Sequence, residues 1–441
     1  MQSPQPLWAT VPPAARARYL RRAAQATLDE LDDLATALAV EAGVPRTEAL
    51  LAEILPSVAG LGELADDGPR ALRDRRLGRP AVLRAGRRQT MYSAPVGTVG
   101  IRGGVGSPWA ELVLETAAAL LAGNGVVLAP ATPVIGARLL ALMGRSGLPD
   151  RLLTVDDSLA GCDTTLEVGA PGAKGTMLVL EGAPLERTVS GALWAAFARA
   201  GHGPASVGRI VCVPAVTEGL LRSLEVGARR LKVGSPADPA TEVGPLASAE
   251  DAARVEELVA EAESGGAVRL CGGPVGGHGP DQVFYAPVVL RNVAPDARIL
   301  HESVPGPVLA VVEAASEDAA LLLAAGAPAL SVWTGERAQG ERVVRTLGAE
   351  LAWVNEHGAA SPAAPVRIAR HVQTRQLASR PVRLRSARWL PYDPSLVHAS
   401  ETAARLMYGR ESERAAYARS GGPALVRVGA RLVRQALGRE W

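Results

Sequence analysis

Residues 96–128, VGTVGIRGGVGSPWAELVLETAAALLAGNGVVL, decide the fold class of this chain. The apolar run at residues 96–101 predicts a strand, and the glycines that follow it predict a turn. Residues 108–121 predict a helix that ends before the next glycines, and residues 126–128 predict a short buried strand. A strand, a helix and a second strand in this order are typical of a parallel βαβ unit, so the sequence predicts an α/β fold.

The alternation of strands and helices continues on both sides of this unit. Apolar residues at helical spacing mark residues 14–43. Strands and helices alternate again from residue 184 to residue 355, which predicts a second α/β domain. Between residues 156 and 175 the pattern fails, and we predict a loop or the remnant of a lost element there. The Arg-rich tail, residues 398–441, has the spacing of a helix.

Composition and charge exclude several classes of function. The 441 residues carry 47 Lys and Arg against 45 Asp and Glu, a net charge of +2, so no single-sign field is available to bind nucleic acid or an anionic membrane. Aromatic residues make up only 3% of the chain and offer few stacking platforms for bases. No run of about 20 apolar residues could span a membrane. The sequence therefore predicts a soluble protein with neither a nucleic-acid nor a membrane partner.

The cysteines and histidines form no pattern of a metal site. Cys162, Cys212 and Cys271 are too scattered for a disulfide framework or a thiolate cage, which favours a reducing, cytoplasmic location. No two of the six histidines stand four residues apart and none clusters with a cysteine, so no metal is predicted. Residues 169–175 (GAPGAKG) superficially resemble a phosphate-binding loop. Because Lys174 is followed by glycine instead of Ser or Thr, and no helix begins there, we reject that interpretation.

Several segments resemble the aldehyde dehydrogenase superfamily in their order and spacing. Residues 95–101 (PVGTVGI), 122–128 (AGNGVVL) and 147–149 (GLP) resemble the coenzyme domain of that family. Further matches stand at residues 191–209, 231–246, 302–308, 331–334 and 353–355. The resemblance covers about residues 20–394, and residues 389–394 (WLPYDP) resemble the succinate-semialdehyde branch.

This resemblance implies an aldehyde dehydrogenase-like α/β fold, with two doubly wound α/β domains and a β oligomerisation flap. It implies a coenzyme-binding-type domain over residues 1–183 and a catalytic-type domain over residues 184–365. Return strands to the flap would occupy residues 366–397, and the helical tail residues 398–441. The strands at about residues 82–95 would form the first part of the flap, which joins subunits in the family.

The chemistry of the family requires a cysteine thiolate that attacks the aldehyde, an amide that stabilises the oxyanion, and a general base. When residues 200–209 are laid on the family's Gly-Gln-x-Cys segment, Pro204 falls at the cysteine and His202 at the glutamine. The oxyanion asparagine falls on Gly106. The Leu-Glu-Leu-Gly-Gly-Lys segment that carries the base is predicted to be deleted. We interpret Glu181 as the acidic residue before the next family helix rather than as that base.

The coenzyme contacts of the family also fall on unsuitable residues. The Phe-Thr-Gly-Ser turn that meets the dinucleotide phosphates has no counterpart between residues 156 and 175. The lysine of Lys-Pro-Ser, a ribose contact, is Ala129. Ser303 replaces the ribose-binding glutamate, and Pro305 replaces the aromatic residue near the nicotinamide. The resemblance therefore predicts that no cofactor binds, with NAD or NADP expected only if the chain is active.

These observations together predict an aldehyde dehydrogenase-family protein, by ancestry an NAD(P)-dependent oxidoreductase that acts on aldehydes. We predict that it has lost catalysis and serves as an interaction or regulatory subunit, with another copy of the chain or an active paralogue as its partner. The alternative is an active aldehyde or semialdehyde oxidoreductase with a relocated nucleophile, for which Cys162, Ser206 and Cys212 are the candidates. A decaying gene product without a selected role is a third alternative.

Overall fold

The computed structural model describes residues 4–77, 88–169, 174–203, 205–276, 283–358, 363–379 and 395–436. The chain divides into two compact units. The larger unit consists of residues 1–71 and 95–372, and the smaller unit of residues 72–94 and 373–441. Both large sheets, and every residue of the candidate site described below, lie in the larger unit.

The larger unit begins with helices that bury one apolar face. They are α1 (Gln5–Thr10), α2 (Pro13–Asp29), α3 (Leu31–Ala42), α4 (Arg46–Glu48), a π-helix (Ala49–Ile54) and α5 (Leu55–Ala71). Leu20, Leu34 and Leu61 are at most 2% exposed, as the helical spacing of apolar residues predicts. The single helix predicted over residues 14–43 is two helices, because Glu30 leaves helical geometry between them with φ −108° and ψ 18°.

A four-stranded parallel sheet confirms the βαβ unit that the sequence predicts. Two strands of the smaller unit, β1 (Arg75–Arg76) and β2 (Arg88–Pro95), precede it in the chain. Its own elements are β3 (Thr98–Gly103), α6 (Ala110–Ala122), β4 (Gly125–Ala129), α7 (Pro133–Arg145), β5 (Leu153–Val155) and β6 (Thr164–Val168). The strand order is β5-β4-β3-β6, and each neighbouring pair is parallel.

Strand β6 corrects the prediction of a loop or a remnant between residues 156 and 175. It pairs in parallel with β3 at the edge of the sheet. Thr164, Thr165 and Glu167 are exposed and only Leu166 and Val168 alternate inward, so the apolar pattern is too short to mark a strand in the sequence. An edge strand also needs fewer apolar side chains than a central one, because only one neighbour and part of one face cover it.

The second sheet has seven strands in the order β13-β12-β7-β8-β11-β10-β9. The strands are β7 (Gly175–Val179), β8 (Val207–Cys212), β9 (Val268–Val275), β10 (Phe284–Arg291), β11 (Val308–Glu313), β12 (Ala329–Trp333) and β13 (Leu351–Val354). All neighbouring pairs are parallel except β9 with β10. Because β7 already belongs to this sheet, the chain changes sheets between residues 168 and 175, earlier than the boundary at residue 183 that the sequence suggests.

Helices pack on both faces of the seven-stranded sheet. They are α8 (Leu185–Phe197), α9 (Pro214–Arg230), α10 (Ala249–Ser264), α11 (Glu317–Ala324) and α12 (Arg337–Leu347). A further helix, α13 (Ala364–Ala369), packs on α5 and α6 instead. Along β8, Ile210 and Cys212 belong to one apolar core, whereas Val211 belongs to the core on the opposite face. A parallel strand buried on both faces is typical of α/β proteins and accounts for the continuous apolar run in β8.

The smaller unit holds a three-stranded sheet in the order β1-β2-β14, where β14 spans Val372–Ser379. Two helices follow, α14 (Ser395–Tyr408) and α15 (Glu411–Ala436), in and just before the tail that the sequence predicts to be helical. Residues 82–87 and 380–394, which include the remaining predicted flap strands and the WLPYDP segment, lie outside the described residues.

Candidate active site

Gly106, the predicted slot of the oxyanion asparagine, lies in the turn between β3 and α6. Its backbone N–H donates to the carbonyl oxygen of Gly169 at 2.8 Å. A Cβ atom built on Gly106 would lie 2.1 Å from the carbonyl oxygen of His202 and 2.8 Å from that of Gly169. The backbone of two other segments therefore fills the space that a side chain at this slot would need.

Arg199 connects this turn to a buried pair of glutamates. Its Nη1 donates to the carbonyl oxygen of Gly106 at 2.7 Å, and its Nη2 lies 2.8 Å from Oε1 of Glu53. Its Nε lies 3.9 Å from Oε1 of Glu48. Arg199 and Ala200 both adopt left-handed backbone conformations, with φ 53° and φ 48°, which non-glycine residues rarely adopt unless their surroundings hold them there.

Glu53 has no exposed side-chain surface and caps α6. Its Oε2 accepts hydrogen bonds from the backbone N–H groups of Trp109 and Ala110, at 3.1 and 2.7 Å, and from Oγ of Ser107 at 3.1 Å. These are donors that the first turn of a helix leaves without a partner in the helix itself, and a negative charge is favourable at this end.

Glu48 is the second carboxyl group near Arg199. Burial raises the pKa of Glu48 to about 7, against the lowering effect of the Arg199 charge and with a further rise from Glu53. Below that pH the Glu48 carboxyl group is mostly neutral. We name Glu48, Glu53 and Arg199 the buried ion cluster.

Next to this cluster lies a cavity of about 40 Å³, here called the inner cavity, with room for about three water molecules. Its wall includes Ser107, Arg199, Ser206 and His357. Burial lowers the pKa of His357 to about 4, and its Nε2 lies 3.1 Å from the carbonyl oxygen of Ala205. A neutral imidazole therefore faces this cavity at physiological pH.

The structure separates the candidate nucleophiles. Pro204, the slot of the family cysteine, lies outside the described residues. Ser206 lines the inner cavity, whereas neither Cys162 nor Cys212 does so among the described residues. Burial raises the pKa of Cys212 to about 11, and its Sγ contacts the hydroxyl of Thr217 at 3.3 Å. This thiol is a small core residue rather than a nucleophile.

Cys162 lies in the turn before β6. Partial burial, followed by the charges of Asp163 and Asp156, raises the pKa of this thiol. A thiol with a raised pKa provides little thiolate at neutral pH, so neither candidate cysteine is activated.

A second space, here called the cleft, has a volume of about 230 Å³ and begins beyond β4. Ala131 and Thr132, which follow the predicted ribose-contact slot Ala129, lie on its wall together with His202. The hydroxyl of Thr132 and Nε2 of His202 are buried and have no hydrogen-bond partner among the described residues. Ser303 and Pro305 are not part of the cleft wall that the described residues form.

His202 is also held neutral. Burial lowers the pKa of its imidazole, and the charge of Lys174 lowers it further, although Asp251 at 3.8 Å from Nε2 opposes both. Its Nδ1 lies 3.1 Å from the carbonyl oxygen of Arg199. The slot of the family glutamine therefore carries a largely neutral imidazole on the cleft wall. Among the described residues, no three His, Cys, Asp or Glu side chains are placed to hold a metal ion.

The buried charged residues that connect the segments of this region could not be identified from sequence patterns. Glu53 and Arg199 carry no motif that identifies them, and Lys174 stands only in the rejected loop motif of residues 169–175. The chain is rich in arginine, so one buried guanidinium looks like any solvated one in the sequence. Gly106 was the one sequence signal in this region, because a glycine is typical of a position where another backbone segment approaches closely.

The comparison with family models agrees with this architecture. The model described as "Aldehyde dehydrogenase family" matches residues 1–166 and 159–367. The chain belongs to the aldehyde dehydrogenase family, so both the predicted family and the predicted aldehyde dehydrogenase-like α/β fold are confirmed. The two matched segments overlap at residues 159–166, which places the break in the match at β6.

Individual relatives support the same assignment. A Mycobacterium bovis protein named as an NADP+-dependent succinate-semialdehyde dehydrogenase is 28% identical over 386 residues, which cover 79% of this chain and 73% of the relative. A betaine aldehyde dehydrogenase of Mesorhizobium japonicum is 26% identical, covering 80% of this chain and 79% of the relative. A Bacillus cereus aldehyde dehydrogenase solved with NAD+ has the same fold, with a TM-score of 0.77, 22% identity and 85% of each chain covered. The predicted ancestry among oxidoreductases that act on aldehydes is thereby confirmed.

The prediction that no cofactor binds is wrong. The Bacillus cereus structure is a complex with NAD+, and the Mycobacterium bovis relative is named for NADP+. The prediction rested on the missing phosphate turn between residues 156 and 175 and on three lost side-chain contacts, at Ala129, Ser303 and Pro305. It gave no weight to small residues and backbone, which can frame a dinucleotide site without those side chains. The cleft lies beside the predicted ribose-contact slot, because Ala131 and Thr132 line it.

Proposed function

We propose that this chain binds a nicotinamide dinucleotide, does not oxidise aldehydes by the cysteine route of its family, and serves as an interaction or regulatory subunit. The packing around Gly106 carries the proposal. Because the carbonyl oxygen of His202 would lie 2.1 Å from a Cβ at that slot, an amide that stabilises an oxyanion has no room there. The buried ion cluster lies next to this slot, and its side chains bond to the Gly106 carbonyl and to the first backbone N–H groups of α6.

The cleft supports the cofactor part of the proposal. Its volume of 230 Å³ is below the roughly 300–1,000 Å³ of most small-molecule sites, so it would take one part of a dinucleotide. Thr132 and His202 are polar residues on its wall, although Oγ1 of Thr132 and Nε2 of His202 are themselves buried. When bound, the dinucleotide would supply a hydride acceptor, but no described thiol stands beside the cleft to deliver a substrate to it.

Purified chain incubated with short aldehydes and NAD+ or NADP+ is expected to show no steady formation of reduced coenzyme. The physical reason is the missing thiolate and the filled oxyanion slot, since such groups act as a unit. Calorimetry on the same preparation is expected to show saturable binding of one of the two dinucleotides. Absorbance at the reduced nicotinamide band measures the turnover.

A second candidate, an active oxidoreductase with a relocated nucleophile, is favoured by one observation. Ser206 lines the inner cavity together with His357. However, a serine needs an adjacent base, and no described residue donates to or accepts from its Oγ. Steady coenzyme reduction that Ser206→Ala abolishes, while Cys212→Ala leaves it intact, would establish this candidate and refute the first.

Association is the last part of the proposal, with another copy of the chain or an active paralogue as partner. Support comes from β14, in which every residue after Val372 is exposed, including Leu377 with 54% of its surface. An exposed strand that carries an apolar side chain usually requires a cover. Light scattering is expected to give at least twice the mass of one 45.6 kDa chain, alone or with an active dehydrogenase of the same cell.

A matched pair of variants localises the association. Leu377→Glu on β14 is expected to return the particle to a single chain. Leu322→Glu on α11, at an even more exposed leucine, is expected to leave the mass unchanged. A strictly monomeric wild-type particle in both samples would rule association out.

A further inference from the structure

Lysine is a rare residue in this chain. Of the 47 basic side chains only Lys174 and Lys232 are lysines, and all others are arginines. Lys232 is exposed, whereas Lys174 is partly buried and stands directly before the central strand β7. Guanidinium groups stay protonated in proteins, but an amine can lose its proton and act as a nucleophile. The difference between the two lysines is therefore chemical as well as structural.

Three backbone positions enclose the Lys174 side chain: Gly208 at the start of β8, Gly306 just before β11, and Gly201 at the end of the 3-10 helix that follows α8. Its Cβ lies 2.8 Å from the position that a Cβ on Gly208 would occupy, so this glycine makes room for the methylene chain. Its Nζ donates to the carbonyl oxygen of Gly306 at 2.7 Å and lies 3.0 Å from the corresponding Cβ position on Gly201. The amine is thereby held beside residues 201–203, which directly precede the slot of the family nucleophile.

A cavity of about 450 Å³, here called the lysine cavity, opens beside this side chain. This volume lies within the roughly 300–1,000 Å³ of small-molecule sites. Ile299, Leu300 and Leu323 contribute apolar wall, and the charged or titratable groups on the wall besides Lys174 are Arg209, His301 and Glu302. Small apolar molecules with one polar end suit such a lining.

No carboxylate among the described residues pairs with the Lys174 amine. Glu302, the acidic residue on the wall, is bound to Arg254 and Arg298. Burial lowers the pKa of Lys174 to about 7, so about half of this amine is unprotonated near neutral pH. An exposed lysine with a pKa near 10.4 is almost fully protonated there.

We propose that Lys174 captures small aldehydes that enter the lysine cavity, as an imine on its Nζ. The nitrogen lone pair adds to the carbonyl carbon to form a carbinolamine. The carbonyl oxygen then leaves as water with the two protons of the amine, and a C=N bond remains. The step consumes one aldehyde and releases one water, and it requires no oxidant, coenzyme or thiol. It therefore stands whether or not the chain oxidises aldehydes.

Reductive trapping with propionaldehyde and cyanoborohydride, followed by peptide mass spectrometry, tests this proposal on the full chain. The hydride fixes an imine as a stable propyl-lysine, and the two lysines provide an internal comparison. At neutral pH and low aldehyde concentration, labelling of Lys174 is expected to exceed that of Lys232 by at least about tenfold. The rate is also expected to saturate with aldehyde concentration, as binding in a cavity requires.

Two variants separate capture from a merely structural role. Lys174→Arg keeps the positive charge and a donor for Gly306 but lacks a nucleophilic amine, so labelling at this position is expected to vanish. Lys232→Arg is expected to leave labelling of Lys174 unchanged. Should Lys174→Arg fail to fold, the ratio of the two lysines in the wild-type chain decides alone. Equal or faster labelling of Lys232, or a rate at Lys174 that rises linearly without saturation, would overturn the proposal.

Discussion

Replacing Glu53 by alanine is expected to lower the free energy of unfolding by about 3–5 kcal/mol. The variant would leave the Arg199 guanidinium with Glu48, at 3.9 Å, as its remaining carboxyl neighbour among the described residues. It would also remove the acceptor of three donors, which include the first backbone N–H groups of α6. Urea denaturation followed by tryptophan fluorescence measures the loss, because Trp109 lies at this helix start.

Glu63→Ala provides the matched control for this prediction. Glu63 is exposed on α5, the next helix along the chain, and its removal is expected to change stability by no more than about 0.5 kcal/mol. The double variant Glu53→Ala/Arg199→Ala is expected to cost less than the sum of the two single variants, since it leaves no unpaired guanidinium. A loss below about 1 kcal/mol for Glu53→Ala would mean that water replaces the carboxylate easily. In that case the buried ion cluster would contribute little to fixing the turn at Gly106 and the start of α6.

The sheets could be predicted from the sequence because their signals are local. In residues 96–128 glycines and a short apolar run separate strand, helix and strand, and the structure places β3, α6 and β4 there. Strand β6 could not be predicted in this way, because its apolar alternation is limited to Leu166 and Val168. This segment forms a strand because it hydrogen-bonds to β3, which is distant from it in the sequence.

The candidate site was predictable only as a set of missing residues. Aligning Gly106 with the oxyanion slot identified a lost amide, but what replaced it depends on contacts that a single sequence does not show. Arg199 and Glu53 meet across the fold, and a sequence does not distinguish a buried arginine from an exposed one. Lys174 illustrates the same limit. The rejected loop motif drew attention to it for the wrong reason, and only its burial beside Gly208 and Gly306 shows what distinguishes it.

Restoring the family's asparagine at position 106 is expected to destabilise the chain by about 3 kcal/mol or more and not to restore activity. Its Cβ would lie 2.1 Å from the carbonyl oxygen of His202, a backbone atom that cannot rotate away as a side chain could. Gly144→Asn is the matched control, because Gly144 is exposed on α7 with nothing within 4 Å of a Cβ, and its unfolding midpoint is expected to stay within the error of the wild type. Thermal and urea unfolding of both variants measure the difference. If Gly106→Asn unfolds at the wild-type midpoint, the segment around His202 can move aside, the oxyanion slot is open, and the argument for lost catalysis fails.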